Sequence, residues 1–287
     1  MFVKRLICAD GVEITTRVYT PETPCGSMGL IIAPALGVPQ GFYGEMARFF
    51  QDRGIGVLTL DYRGTGGART SDTDQFRLEE WGRYDMDAAI RYARTQWDRV
   101  FLLGHSVGGQ LCPLAPAGEE LDGMILVGAS FPHWRGWGFP RNLYMAFFWH
   151  GMLPLLALGR RYFPTRMLGL SRENMPVGFI RQWGQWARQK AYVTCPDLGI
   201  DTAGFQSFSA PVLSFGFDDD TYAPEANIER LHRALPRADV LFRFLKGRRF
   251  HAKGMGHFGF FRADRARGLW QETSAWMHKI AAQDSPQ

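Results

Sequence analysis

A serine flanked two residues away on each side by glycine stands where an apolar run ends. The apolar run 100–103 is followed by Gly104-His105-Ser106-Val107-Gly108. This spacing is typical of a nucleophile elbow, a sharp turn between a buried strand and a helix that exposes a serine hydroxyl. Side chains at the two flanking positions would collide with the neighbouring strand and helix, so both must be glycine. The pattern predicts Ser106 as a nucleophile, the alternative being a glycine-rich turn with an ordinary serine.

A serine hydroxyl attacks a carbonyl efficiently only when a base removes its proton and an acid orients that base. Carboxylates occur late in the chain, where the apolar run 212–217 leads into Asp218, Asp219 and Asp220. A histidine follows in the glycine-punctuated loop 254–259, at His257, and His251 lies shortly before it. All three residue types needed for acyl transfer are therefore present, with the choice among the carboxylates open.

Apolar runs alternate with helical patterns over most of the chain, which predicts a parallel sheet with helices on both faces. The runs 30–33, 57–60, 100–103, 124–127, 212–215 and 240–242 have the composition of strands buried on both faces. Helical periodicity covers 43–51, 84–96, 224–235 and 262–282. Two alternating runs, 2–8 and 12–19, indicate an antiparallel hairpin at the leading edge of the sheet. We therefore expect an α/β fold.

One segment interrupts this alternation. Residues 131–198, here called the cap segment, contain crowded aromatic, methionine and leucine residues and no clear buried strand. Within it the stretch 143–159 is apolar apart from His150, but its seventeen residues are at the short limit for a membrane span, and Gly151 and Pro154 interrupt it. We expect a helical cap over a pocket, inserted into a core formed by residues 1–130 and 199–287. Membrane contact is not expected, except for interfacial contact through this cap.

Composition excludes several other classes of protein. The chain has 287 residues, 46% of them hydrophobic and 21% charged, and its net charge of +5 is spread without the continuous basic stripe of a nucleic-acid binder. Four cysteines without a CxxC pair, and an N-terminus without signal-peptide order, favour the cytoplasm.

The glycine-rich run 64–67 lacks the ending of a phosphate-binding loop. Asp85 and Asp87 are expected to point apart into solvent, so we expect neither a metal nor a cofactor.

The sequence resembles the α/β-hydrolase superfamily, in its lipase, esterase and serine-aminopeptidase-like branch, over nearly its whole length. The hairpin, the elbow motif, the cap segment and the two late motifs carry the resemblance. The residues at 34–38 and 61–64 are similar to those of a bacterial group of predicted hydrolases without an agreed substrate. The resemblance implies the α/β-hydrolase fold and the triad order serine, acid, histidine.

This order selects the other site residues. Of the seven histidines, three precede any late acid and two lie on amphipathic helices, which leaves His257, with His251 as the alternative. Family members commonly place the acid four residues before a proline that opens the next helix, which selects Asp220 because Pro224 follows it, with Asp219 as the alternative.

The resemblance also implies an oxyanion hole. One donor is the backbone N–H of Val107, at the start of the helix that follows the elbow. The second is the backbone N–H of Leu36, where the usual His-Gly pair of the family is replaced by Pro34-Ala35.

These residues predict a serine hydrolase that cleaves a small-molecule carboxylic ester with an apolar or acyl-chain group through an acyl-enzyme. Two alternatives use the same scaffold. The triad could pass the acyl group to an alcohol or amine, or cleave a peptide-like amide. A non-catalytic protein could instead capture an apolar small molecule in the same pocket. The oligomeric state is left open by the sequence.

Overall fold

The computed structural model of the chain describes residues 1–23, 27–70, 75–167 and 173–283. Most strands belong to one large sheet, and their bounds are β1 (Phe2–Ile7), β2 (Glu13–Tyr19), β3 (Met28–Ala33), β4 (Gly56–Asp61), β5 (Arg99–His105), β6 (Gly123–Val127), β9 (Val212–Phe217) and β10 (Val240–Leu245). A separate two-stranded sheet joins β7 (Tyr162–Phe163) to β8 (Met175–Pro176).

The large sheet has the strand order β1-β2-β4-β3-β5-β6-β9-β10. Strands β1, β2 and β4 pair antiparallel, and every pair from β4 to β10 is parallel. Parallel pairing aligns the carboxyl ends of β5, β6 and β9 at one edge, where residues that follow these strands meet. The predicted leading hairpin and mostly parallel sheet are confirmed.

The large sheet has α-helices packed on both faces, and further α-helices form the cap segment. Their bounds are α1 (Gly44–Gln51), α2 (Asp87–Gln96), α3 (Val107–Leu111), α4 (Arg141–Phe147), α5 (Leu153–Ala157), α6 (Val177–Arg188), α7 (Ala203–Ser207), α8 (Glu225–Arg233) and α9 (Ala263–Gln283). Single π-helical turns, Trp81–Met86 and Phe148–Met152, precede α2 and join α4 to α5. One apolar cluster lies under α1 and α9, and a second under α2 and the cap segment.

The cap segment follows β6 in the sequence and consists mainly of the helices α4, α5 and α6. Its side chains Trp149 and Trp186 are buried in the same apolar cluster as Leu102 of the central strand β5. No helix in the described parts of the chain is long and apolar enough to cross a membrane.

Two expectations about burial are wrong. Strand β10 is an edge strand, and Leu241 in it is 50% exposed, whereas the run 240–242 was expected to be buried on both faces. Asp85 and Asp87 are buried rather than solvated. The Asp85 carboxylate accepts from the Arg63 guanidinium at 2.7 Å, and the Asp87 carboxylate accepts from the backbone N–H of Ala117 at 2.7 Å. Buried carboxylates need such donors, so sequence spacing alone misplaced both.

Candidate active site

Ser106 occupies the turn between β5 and α3. Its φ of +52° is in the left-handed region that side chains rarely adopt, and its backbone N–H donates to the Val127 carbonyl at 3.0 Å. A Cβ at Gly104 would overlap the Gly109 backbone, and one at Gly108 would overlap the Ala33 carbonyl. The strained turn is therefore possible only because glycines lie on both sides of the serine.

Asp220 and His257 form a buried pair. Their side chains are 1% and 8% exposed, and the distance between Asp220 Oδ2 and His257 Nδ1 is 2.7 Å. The other carboxylate oxygen accepts from the backbone N–H groups of Tyr222 at 2.8 Å and Ala223 at 3.2 Å. Since the carboxylate can only accept, His257 Nδ1 carries the donated hydrogen, so Nε2 is the nitrogen that can accept a proton. That arrangement suits a general base.

The carboxylates of Asp218 and Asp219, the two residues before Asp220, accept hydrogen bonds from groups other than the His257 ring. Asp218 Oδ1 accepts from the Gly247 N–H at 2.9 Å, and Asp219 Oδ2 accepts from the Met255 N–H at 2.8 Å. A Cβ at Gly254 would overlap the Asp219 carboxylate. Asp219 therefore contacts the backbone of the loop that carries His257, and Asp220 contacts its ring.

Ser106 and His257 line one cavity of about 210 Å³, together with Leu36 and Val107. Within the described residues no hydrogen bond joins the Ser106 hydroxyl to the His257 ring. Catalytic hydrogen bonds are often long in a site without substrate. His251 does not line this cavity, and its Nδ1 accepts from the Lys253 N–H at 3.1 Å. Of the candidate residues, the structure brings Ser106, Asp220, His257, Leu36 and Val107 together and separates Asp219 and His251 from the ring.

Two residues that line this cavity have unused backbone donors. The Leu36 and Val107 N–H groups donate to no other protein group within the described residues. The preceding N–H, that of Ala35, is already used, because it donates to the Tyr43 hydroxyl at 2.9 Å. This difference is consistent with Leu36 and Val107 as the two donors of an oxyanion hole.

A chain of buried hydrogen bonds, which the sequence analysis missed, connects the loop of Leu36 to the loop of His257. From Ala35, it passes through the Tyr43 hydroxyl to His105 Nδ1 at 2.9 Å, and from His105 Nε2 to the His257 carbonyl at 3.0 Å. Burial, and then the nearby His257, hold the pKa of His105 well below its usual value, so the ring is neutral. The carbonyl can only accept, which places the hydrogen of His105 on Nε2 and makes Tyr43 the donor to Nδ1.

Gly128, just after β6, was also missed. Its φ is +56°, and a Cβ there would lie 3.1 Å from both Asp220 Oδ2 and His257 Nδ1. The absence of a side chain at Gly128 leaves room for the acid and histidine to meet. A glycine directly after a buried strand was the available sequence signal.

The outer wall of the cavity comes from the cap segment and is largely aromatic. Its members are Trp137, Arg141, Tyr144, Met145, Phe148, Trp149 and Trp183. Among the described residues that line the cavity, Arg141 is the only arginine or lysine, and its guanidinium donates to the Thr221 carbonyl at 2.9 Å. An apolar group of a substrate would be favoured in this space.

Comparison with known proteins agrees with this fold. The model of the alpha/beta hydrolase family matches residues 30–268, so the chain belongs to that family. No curated protein matches the chain by sequence.

Solved structures share the architecture at low sequence identity. The chain is similar to a soluble variant of monoglyceride lipase from Saccharomyces cerevisiae, with 17% identity, a TM-score of 0.69 and coverage of 98% of this chain and 96% of that one. It is also similar to the alpha/beta hydrolase GrgF from Penicillium sp. sh18, with 16% identity, a TM-score of 0.66 and coverage of 98% and 99%. The esterase EaEST from Exiguobacterium antarcticum has 16% identity, a TM-score of 0.62 and coverage of 96% and 99%. At these identities the likeness shows the fold.

Proposed function

We propose that the protein is a serine hydrolase that cleaves a small carboxylic ester through an acyl-enzyme. The observation that carries this proposal is the buried Asp220–His257 pair at 2.7 Å, whose ring lines the same cavity as Ser106 at its strained turn. Esterase and lipase neighbours of the same fold support ester chemistry.

Each residue has a distinct role in the proposed reaction. The Ser106 hydroxyl attacks the ester carbonyl while His257 Nε2 takes its proton, and Asp220 holds the ring in the required tautomer. The Leu36 and Val107 N–H groups stabilise the oxyanion of the tetrahedral intermediate, an effect of about 3 kcal/mol for each donor. His257 then returns the proton to the leaving alcohol. In the second half-reaction it activates the water that releases the acid.

The size of the cavity sets the class of substrate. An apolar cavity of roughly 150 Å³ is enough to hold benzene, so about 210 Å³ accommodates a short acyl chain or a single aromatic ring. The aromatic wall of the cap segment, acting as a lid over Ser106, would exclude water from that group. We therefore infer a preference for uncharged esters with short acyl chains.

The test compares Ser106→Ala with the parent protein on p-nitrophenyl esters of increasing acyl length. Because the cavity has room for a short acyl chain, the parent is expected to turn over butyrate with a kcat/KM at least ~10-fold higher than that for palmitate. A tenfold difference corresponds to about 1.4 kcal/mol of activation free energy. Ser106→Ala is expected to lose turnover and fluorophosphonate labelling, whereas Ser207→Ala, at the end of α7 and outside the cavity, keeps both. Unchanged turnover in Ser106→Ala would refute the proposal.

A further inference from the structure

The outer face of the first helical run in the cap segment is an exposed apolar stripe. The run comprises α4, a π turn and α5, and Leu143, Tyr144, Phe147 and Leu155 on it are 58%, 56%, 62% and 71% exposed. Leu158, just after α5, is 73% exposed. Tyr144 and Phe147 are three residues apart, Leu143 and Phe147 four, and Phe147 and Leu155 eight, and such spacings place side chains on one side of a helix. We call these five residues the outer stripe.

The same helical run is apolar on its inner side as well. Phe148, Trp149 and Leu153 are buried in the main apolar cluster. A helix that is apolar all round is normally covered on every side. Across the described residues, seven of the fourteen exposed large hydrophobic side chains fall between positions 139 and 167. This concentration is the kind of patch that marks an interaction site rather than the scattered exposure of an ordinary surface.

Positive charge is concentrated in the same segment. Residues 131–198 contain nine arginines and lysines but only two acidic residues, a net charge of +7, so the remainder of the chain carries −2. Arg141 begins α4, and Arg160 and Arg161 follow Leu158 after one glycine, so that exposed arginines stand at both ends of the stripe. One of the two acids, Glu173, is paired with Arg69 at 3.1 Å.

These charges decide which partner fits the surface. A second copy of this chain would bring two stripes flanked by exposed arginines together, and like charges facing each other oppose association. An anionic lipid surface offers both an apolar layer for the stripe and negative head groups for the arginines. The helical run is too short and too interrupted to span a bilayer, so it would lie in the plane of the surface.

We propose that the outer stripe and its flanking arginines dock the protein onto an anionic lipid bilayer. Leu143, Phe147, Leu155 and Leu158 enter the boundary between head groups and acyl chains, and Arg141 and Arg160 contact the head groups at the two ends. Tyr144 belongs both to the stripe and to the wall of the Ser106 cavity. Docking therefore places the entrance of that cavity at the lipid surface.

The test is co-sedimentation with vesicles, using the Ser106→Ala protein so that binding is measured independently of any hydrolysis. Vesicles of phosphatidylcholine with phosphatidylglycerol are expected to bind the protein at least ~10-fold more tightly than phosphatidylcholine alone, because each neutral vesicle lacks the anionic attraction. Binding to the anionic vesicles should weaken at high salt, where exposed charges are screened. Absence of binding to anionic vesicles at low salt would overturn the proposal.

Two double variants separate the stripe from general surface hydrophobicity. Phe147→Ser with Leu155→Ser is expected to weaken binding to the anionic vesicles at least ~10-fold, since two large apolar side chains leave the interface. The matched control is Ile7→Ser with Leu241→Ser, on the two edge strands, where the side chains are 75% and 50% exposed. That control should bind as the parent does, and all four positions lie outside the Ser106 cavity.

Equal binding by the two double variants would overturn the proposal. So would sedimentation velocity that shows a dimer in the parent and a monomer in Phe147→Ser/Leu155→Ser, without vesicle binding, because the stripe would then bind a second copy. Failure of the ester assays would leave the vesicle result unaffected, so the two proposals can fail separately.

Discussion

Three consecutive carboxylates in this chain have three different hydrogen-bonding partners. Asp218 contacts the N–H of Gly247, Asp219 the N–H of Met255, and Asp220 the ring of His257. The division follows from the tight turn after β9, in which the Asp220 N–H donates to the Phe217 carbonyl at 3.0 Å. Adjacent side chains in such a turn point in different directions. Their roles therefore differ although their chemistry is the same.

Asparagine at each position distinguishes the two candidate acids. In Asp220→Asn the side-chain NH₂ or oxygen faces Nδ1, the required tautomer of His257 is lost, and kcat is expected to fall by roughly 10³- to 10⁴-fold. In Asp219→Asn the amide oxygen still accepts from the Met255 N–H, so kcat is expected to stay within about threefold of the parent. Steady-state kinetics on a short ester measures both. A larger loss in Asp219→Asn than in Asp220→Asn would contradict the assignment.

Tyr43 connects the loop of Leu36 to the loop of His257, because its hydroxyl contacts the Ala35 N–H and His105, whose ring contacts the His257 carbonyl. Tyr43→Phe removes the acceptor for the Ala35 N–H and the donor to His105 Nδ1, leaving two buried polar groups without partners. Each such group costs about 1–3 kcal/mol, so we expect kcat to fall roughly 10- to 100-fold as the Leu36 and His257 loops shift, with KM changed less. The matched control is Tyr62→Phe, because the buried Tyr62 hydroxyl has no hydrogen-bond partner among the described residues. Equal kinetics in the two variants would show that the chain of hydrogen bonds has no positioning role.

At the level of single residues, the sequence predicted the groups with a recognisable local pattern. Ser106 lies between two glycines, and His257 lies in a loop rich in glycine. The choice of Asp220 over Asp219 depended on a resemblance, since spacing alone does not report the direction of a side chain. Tyr43 could not be found, because its partners, Ala35 and His105, come close only when β3 and β5 pair in the sheet.

At the level of elements, the alternation of apolar runs with helical patterns predicted the sheet and its helices, but it did not predict how exposed each strand is. The apolar run in β10 has the composition of a buried strand, yet its position at the sheet edge exposes Leu241. Strand order depends on long-range pairing, which composition does not encode. The π turns that precede α2 and join α4 to α5 were missed for a related reason: one extra residue in a turn hardly alters helical periodicity.

The packing of α8 on β9 and β10 makes stability dependent on pH. His232 on α8 has its Nε2 2.9 Å from the Ser214 hydroxyl on β9, and its ring contacts Phe242 on β10 at 4.8 Å between centroids. Burial, and then the charge of Arg233, lower the pKa of His232 from 6.5 to about 4. Between these two values the unfolded chain binds a proton that the folded protein excludes, so stability falls as the pH drops below 6.5.

Urea denaturation at about pH 8 and about pH 5 measures this contribution. One histidine with this shift accounts for a loss of about 2 kcal/mol between the two pH values. His232→Gln keeps a polar partner for Ser214 without a titratable ring, and is expected to lose about 1–2 kcal/mol less than the parent over the same interval. An identical pH dependence in the parent and the variant would contradict the assignment.

At the scale of the whole molecule, the charge and the core are distributed differently. The cap segment carries +7 and the remainder of the chain −2, so charge divides the chain into two parts. The apolar cluster does not, because Trp149, Phe179 and Trp186 of the cap segment share it with Leu58 and Leu102 of the sheet. The sequence analysis predicted a separate insertion from its crowded aromatic residues, but it treated the positive charge as spread over the chain and so missed the first division. The shared cluster depends on contacts between distant parts of the chain, which only the folded structure brings together.

A shared core predicts that the cap segment and the sheet unfold together. Five of the nine tryptophans lie between positions 134 and 186, so fluorescence reports mainly on the cap segment, whereas far-UV circular dichroism reports on the helices and strands of the whole chain. Loss of the cap would expose Trp81, whose ring packs against Phe179 with centroids 5.0 Å apart, and a contiguous core resists such partial opening. Denaturant titrations followed by the two signals should therefore give the same midpoint. A fluorescence transition completed at lower denaturant would show that the cap segment unfolds alone, as a separate domain beside the core.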